Sequence, residues 1–433
     1  MLGIYKLFCL INYPLWWLVL LIRSFRGKEH KKRYIEKLGL GYKKRPDGEV
    51  IWVHALGLGE TLALLYFLRK MSEKFHDKTI LFTSSTLNSY LAFSKQRVSP
   101  GIIHQFAPID NFTSMKRFLS HWKPSLALIS EIDLWPIRVA EVKRYGTPLI
   151  LFNSRMNEKK KKNRKLIYKV FKETLSSFDY IFLQDENSKE HFKFFGVSES
   201  TLRICGPFKT AGTDLYENRS LEKKIISVFT NKFVWIAASL HRDEETEILE
   251  SFKLAKEKLP NLVLIMAPRF PELSGNTEKK CLVYTKNVIV RKSLNEYPKK
   301  TTEILVVSTI GELGLWYQVA DIAFIGNSLD YKTIKTGKNP FEAIQSNCLV
   351  MHGPKMLEPG YSILKEKGIS DEVSNRFEIS KALVRYASPN ERDEKIIKGK
   401  KLILKNRRLI EDFIENLITI KKKKGSRKSC SLF

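Results

Sequence analysis

Residues 51–60 read IWVHALGLGE. Ile51 to His54 is a short apolar run with a polar tip, the pattern of a buried strand. Gly57 and Gly59 allow a tight turn, and Glu60 opens the apolar-periodic stretch TLALLYFLRKM, which predicts a helix. A strand, a glycine turn and a carboxylate at a helix start make a site where a ligand can approach the backbone closely. The helix dipole favours an ionised Glu60, which suits a general base. The plainer reading stays open, because acidic residues are common in first turns.

Outward from this segment, short β-rich runs alternate with amphipathic stretches. The spacing predicts strands over 50–53, 79–83, 102–106, 126–129, 149–152 and 180–183, with helices around 61–74, 113–122, 136–145 and 166–176. A polar, pattern-poor stretch follows, and the rhythm restarts with strands over 234–238, 262–267, 304–307, 322–325 and 349–351. Regular β–α alternation means α/β domains with parallel sheets covered on both faces. Two such blocks predict two doubly wound, Rossmann-like domains facing a cleft: 27–209 and 233–424, joined by a linker over 210–232. Ligands of such sheets bind beyond the C-terminal strand ends.

The 433 residues carry 75 Lys+Arg against 46 Asp+Glu, a net charge of +29, so anionic partners are expected. Residues 1–45, residues 395–433 and the run Lys159 to Lys165 concentrate the basic charge. These runs lack interleaved aromatics, which argues against nucleic acid. Residues 425–433 read as a basic tail. Cys9, Cys205, Cys281, Cys348 and Cys430 have no paired spacing, which argues against a disulfide framework or a zinc site and for a reducing, cytosolic milieu. Residues 1–26 are apolar for about twenty positions, broken by Lys6, Asn12 and Pro14 and followed by a strongly basic flank. They read as a membrane anchor with the body of the chain on the cytoplasmic side, either a single span or a helix lying in the inner leaflet.

The polar motifs fall at predicted strand ends. SEIDLWP (130–136) places Glu131 and Asp133 at the same rim as Glu60, and paired carboxylates can divide base and electrostatic roles around a developing sugar cation. Local capping by Glu131 is the alternative. CGPFK (205–209) offers Lys209, and NSRMNE (153–158) offers Arg155, as partners for a phosphate or carboxylate. In the second block AASLHRDEE supplies His241 and APRF supplies Pro268 and Arg269. STIGELGLWY turns into a helix at Gly311–Glu312, and TGKNPFEAI does so at Asn339–Pro340, with Glu342 one turn on. Both helix starts read as anion sites. No Walker motif and no GxGxxG appears, so an ATPase or NAD enzyme is disfavoured, and no HxH or DxD pair suggests a catalytic metal.

In order, HALGLGE, SEIDLWP, NSRMNE, GPFK, AASLH, PRFPE, TIGELGLWY, ADIAFIGNSL and GKNPFEA resemble the 3-deoxy-D-manno-octulosonic acid (Kdo) transferases of lipopolysaccharide synthesis. The resemblance implies a GT-B fold, a membrane-associated N-terminus and inverting transfer of Kdo from CMP-Kdo to a lipid A precursor (lipid IVA). It implies no metal and no cofactor beyond the donor substrate. Its partners are then CMP-Kdo, the anionic lipid A precursor and inner-membrane lipids, at the cytoplasmic face of the inner membrane of a Gram-negative bacterium. Glu60 corresponds to the general base, and Glu131 and Lys209 to residues that support the transition state. Pro268, Arg269, Ile310, Gly311, Glu312, Asn339, Pro340, Phe341 and Glu342 fall on the CMP-binding segments. The chain departs from the family pattern at Gly57 (usually Ser), Asp133 (Glu), Phe270 (His) and Lys338 (His), which bears on donor recognition and on the number of Kdo units added. A GT-B transferase for another sugar and a non-catalytic, membrane-associated binding protein are the alternatives.

Overall fold

The computed structural model describes residues 2–95, 100–132, 134–212, 225–270, 272, 274–291, 296–309, 312–334, 338–356 and 361–429. The chain divides into two units, Met1–Ala211 with Asn406–Phe433, and Gly212–Lys405.

The first unit holds β1 (Val50–Ala55), β2 (Thr79–Ser84), β3 (Ile102–Phe106), β4 (Leu126–Ser130), β5 (Leu149–Ser154), β6 (Tyr180–Leu183) and β7 (Leu202–Ile204). They form one parallel sheet in the order β3-β2-β1-β4-β5-β6-β7. β1, β4 and β5 are buried along their whole length, which is why they read as continuous apolar runs and not as alternating patterns. The chain winds from β1 out to β3, then returns to β4 on the other side of β1. The switch point where ligands of such sheets gather therefore lies between β1 and β4.

The second unit repeats this plan with β8 (Phe233–Leu240), β9 (Leu262–Pro268), β10 (Val288–Arg291), β11 (Ile304–Val307), β12 (Ile322–Ile325), β13 (Leu349–His352) and β14 (Ser370–Glu372). The order is β10-β11-β9-β8-β12-β13-β14, all parallel, with the switch between β8 and β12. The sequence pattern missed β7, β10 and β14. Each is three or four residues long and each closes an edge of its sheet, where half-burial leaves little apolar signal.

The helix Pro389–Ser429 serves both units. Leu402 and Ile403 join the core of the second, whereas Ile410, Phe413, Ile414, Leu417 and Ile420 join the core beneath β1, β4 and β5 of the first. The expected second-domain limit at 424 is thus corrected: residues from Asn406 onward belong to the first unit. The apolar period of one helix carries no mark of where its packing partner changes. Phe413 stacks on Phe152 at 5.5 Å and 14° and lies against Phe67, Phe182 and Phe208. The expected linker falls largely on residues 213–224, outside the described residues, as do residues 430–433 of the expected tail.

The apolar N-terminus forms two helices, Leu2–Ile11 and Tyr13–Phe25. Pro14 cannot continue the first one, because it has no N–H and its ring clashes with the carbonyl four residues back. Cys9 and Leu20 are buried, Asn111 Nδ2 donates to the Cys9 carbonyl at 2.7 Å, and Tyr13 Oη donates to the Leu38 carbonyl at 2.9 Å. Leu15, Trp16, Trp17, Leu18, Ile22 and Phe25 remain exposed. Among the described residues no helix is long and apolar enough to cross a membrane. The four described cysteines are free and buried.

Candidate active site

Glu60 lies just past β1, in the first turn of the helix Leu58–Ala63. Gly57 is the N-cap residue, and its N–H donates to Glu60 Oε2 at 3.1 Å. This is half of a capping box; glycine has no side chain to supply the other half. The plainer reading therefore holds, since Glu60 closes its own turn, and it does so half-buried at the switch point. Leu56 and Leu58 beside it are exposed.

Across the switch, Glu131 follows β4 with φ +58°, a left-handed conformation that costs a non-glycine residue about 1 kcal/mol. Its N–H donates to the Phe152 carbonyl at 2.9 Å, and Ser154 Oγ donates to its carbonyl at 2.9 Å. Gln184 Nε2 donates to Glu131 Oε1 at 2.7 Å, and Asn153 Nδ2 to the same oxygen at 3.3 Å. Burial raises the Glu131 carboxyl; Lys160 opposes this, the Glu60 charge adds to it, and Lys209 and the Gln184 hydrogen bond oppose it. The net position is about 7. Those causes place Glu60, Glu131, Lys160 and Lys209 within one electrostatic neighbourhood.

Lys209 sits in the turn Phe208–Ala211 that follows β7. Its ammonium lies beside the glycine turn: a Cβ at Gly59 would stand 3.9 Å from Lys209 Nζ. Lys160 comes from the helix Glu158–Lys165, which is capped by Asn157 and buries none of its residues. Inside a charge run its individual role is invisible in the sequence. Arg155, by contrast, pairs with Asp185 at 3.0 Å, so its chemistry is spent within the fold. Asp133 lies outside the described residues.

In the second unit the nominated residues are held locally. Pro268 ends β9, and the exposed Arg269 donates its backbone N–H to the Leu240 carbonyl at 2.9 Å while its guanidinium lies over the Phe270 ring. Ile310 and Gly311 lie outside the described residues. Glu312 accepts from Arg291 Nε at 2.9 Å and Nη2 at 2.8 Å, a bidentate pair, and also from the Thr309 hydroxyl. Arg291 is fully buried at the end of β10. Burial acts to raise the Glu312 carboxyl, but the Arg291 and Thr309 hydrogen bonds outweigh it and the net is a lowering. Asn339 Oδ1 accepts the Phe341 N–H at 3.1 Å, capping the helix Phe341–Gln345 that Pro340 precedes, and Asn339 Nδ2 reaches Glu342 Oε1 at 3.5 Å. That helix has five residues and the one after Glu312 has seven, so neither gathers the dipole of a long helix.

Sequence reasoning also missed Glu244. Fully buried, it accepts the backbone N–H groups of His241, Asn327, Ser328 and Leu329, and so ties the loop after β8 to the loop after β12 at the switch point. In AASLHRDEE it looks like one more surface acid. Among the described residues no group of three or more His, Cys, Asp or Glu could hold a metal ion.

A family model for 3-deoxy-D-manno-octulosonic-acid transferase (kdotransferase) matches residues 32–211. The chain is 32% identical over 358 residues to a probable 3-deoxy-D-manno-octulosonic acid transferase, mitochondrial, of Arabidopsis thaliana, covering 81% of this chain and 79% of that protein. It is 30% identical over 357 residues to the 3-deoxy-D-manno-octulosonic acid transferase of Rickettsia bellii, covering 82% and 83%. Among solved structures, an α,α-trehalose-phosphate synthase (UDP-forming) from Burkholderia vietnamiensis matches with a TM-score of 0.52 at 10% identity, over 86% of this chain and all of that one. At that identity the likeness shows the fold alone, a GT-B-like pair of α/β domains. Sequence identity over four-fifths of the chain carries more than fold: the chain belongs to the 3-deoxy-D-manno-octulosonic acid transferase family and is a glycosyltransferase.

Proposed function

We propose that this enzyme moves Kdo from CMP-Kdo to a hydroxyl of an anionic lipid A precursor, lipid IVA, with inversion and without a metal ion. The observation that carries the reading is the gathering of Glu60, Glu131, Lys160 and Lys209 at the switch point of the first sheet. Glu60 accepts the proton of the acceptor hydroxyl as its oxygen attacks the anomeric carbon. The bond from that carbon to the CMP phosphate breaks, and its electron pair leaves with CMP. The sugar passes through an oxocarbenium-like state, which an ionised Glu131 stabilises, while Lys209 and Lys160 offset negative charge on the phosphate or the sugar carboxylate. Pro268 and Arg269, the Ile310–Gly311–Glu312 turn and Asn339 to Glu342 are assigned to CMP.

The exposed Leu56 and Leu58 next to Glu60, with the Lys159–Lys165 run, suit an acceptor that is at once acylated and phosphorylated. The apolar face of the helix Tyr13–Phe25, two of whose outward residues are tryptophans, suits a helix lying in the inner leaflet at the cytoplasmic face. The test is transfer from freshly generated CMP-Kdo to a tetra-acylated lipid A precursor in EDTA, read by mass spectrometry of the lipid. A gain in whole Kdo units is expected and counts the additions. No gain from folded protein that binds CMP overturns the donor–acceptor assignment.

A further inference from the structure

Among the described residues the Glu131 carboxylate is held by hydrogen bonds at one oxygen. Both donors to it, Gln184 Nε2 and Asn153 Nδ2, converge on Oε1, and among the described residues no hydrogen bond reaches Oε2. Gln184 Nε2 also donates to the Asn153 carbonyl at 2.7 Å, so the two amides form one unit. Asn153 sits where the pairing of β5 with β6 shifts register between Leu151 and Ser154, and its φ is +51°, a conformation asparagine tolerates better than most residues. The shift turns a buried side chain at the end of a central strand toward the switch point. The oxygen of the same amide is engaged as well, for Asn153 Oδ1 accepts the N–H of Phe208 at 3.0 Å, immediately before Lys209. One buried side chain therefore touches the anion and the backbone that carries the cation.

We propose that Asn153 and Gln184 are positioning residues for the transfer reaction. Their amides fix Glu131 Oε1 and the turn bearing Lys209 in one geometry, so that Oε2 is the oxygen presented to the reacting sugar. The inference rests on the assignment of Glu131 and Lys209 to the transition state. Burial alone would keep Glu131 protonated and useless as a counter-charge; two fixed N–H donors favour its ionised form without occupying the face the sugar needs. A loose lysine in the same pocket could do the first job, but it would collapse onto either oxygen. Planar amides, pinned by Asn153's own backbone and by Phe208, cannot.

The test compares full-length wild type with Gln184→Met, which keeps the volume and removes the donor, and with Asn153→Asp, which keeps the acceptor for Phe208 but turns a like charge toward Glu131. With saturating donor and acceptor, kcat at pH 7 should fall on the order of tenfold in each. The acidic limb of its pH profile should move to higher pH, and KM for the acceptor should change less than about threefold. A limb that stays in place while kcat falls would reduce both residues to scaffolding and overturn the proposal. An independent readout is the titration of the Glu131 carboxyl, followed by 13C NMR in glutamate-labelled protein and assigned by its absence in Glu131→Gln. Its midpoint should rise in Gln184→Met, and an unmoved midpoint overturns the proposal even if transfer cannot be measured. Wild type that transfers no Kdo, with a Glu131 midpoint that nonetheless moves in Gln184→Met, would instead refute the assigned reaction and leave the amide clamp standing.

Discussion

The two sheets share one plan, yet the residues nominated on them are held in different ways. In the first unit Glu60, Glu131 and Lys209 come from three separate loops, and burial together with the charges around it displaces Glu131 far from its ordinary titration range. In the second, Glu312 is locked by Arg291 from the end of the neighbouring strand β10 and Asn339 caps its own helix, so these two side chains are satisfied by fixed partners within the unit. A buried carboxyl so displaced beside charged neighbours marks a place where chemistry is to be sought. Local satisfaction marks loops shaped in advance to receive something, where the ligand meets backbone and leftover donors. The contrast fits the proposed division, in which one unit performs the bond exchange and the other holds the leaving nucleotide.

The sharpest way to break this comparison is Glu60→Gln. It keeps shape and the contact with Gly57 while removing the base, so transfer should fall by roughly 10³-fold with CMP affinity by calorimetry unchanged. Near-normal turnover would remove the first unit's claim to the chemistry. Arg291→Met attacks the other side. It leaves the half-buried Glu312 with only the Thr309 hydroxyl of the partners described above, and the cost should fall below the roughly 3–5 kcal/mol of breaking a fully buried pair. A lower Tm is expected together with CMP binding weakened on the order of tenfold; unchanged CMP affinity in the surviving folded fraction would detach the Glu312 turn from the nucleotide.

The smallest effect is the most diagnostic of Glu131. If its ionised form is the active one, kcat should drop about tenfold per pH unit below about 7 and level off above it. The stability consequence has the opposite sense. Its folded-state pKa is raised above the ordinary 4.5, so the folded protein binds this proton more tightly than the unfolded chain. The stabilisation is complete below pH 4.5 and lost as pH rises through about 7. Glu131→Gln should therefore raise Tm relative to wild type more at pH 8 than at pH 5. Equal differences at the two pH values would mean that Glu131 titrates normally.

Most of the architecture was legible because buried parallel strands are continuous apolar runs and their ends carry the polar motifs. The edge strands were not, since three residues such as those of β14, Ser370, Asp371 and Glu372, have no apolar pattern to read. At the candidate site, Glu60, Glu131 and Lys209, which the fold brings together, could be nominated from residue type and position. Their supports did not. Gln184 follows an ordinary strand, Lys160 hides in a run of identical charges, and within NSRMNE the conspicuous Arg155 drew attention from Asn153, two residues away, whose amide reaches Glu131. A hydrogen-bond partner many positions distant leaves no trace in local spacing.

The long C-terminal helix has a consequence for the order in which the molecule can be made. Gly212–Lys405 is one uninterrupted segment and can complete its core as soon as it has left the ribosome. The first unit cannot: Phe413, stacked on Phe152 and edge-on to Phe208, the neighbours in sequence of Asn153 and Lys209, is translated only after the whole of Gly212–Lys405. The half of the chain synthesised first thus finishes folding last, and a chain ended anywhere before Phe413 lacks part of the core beneath β1, β4 and β5.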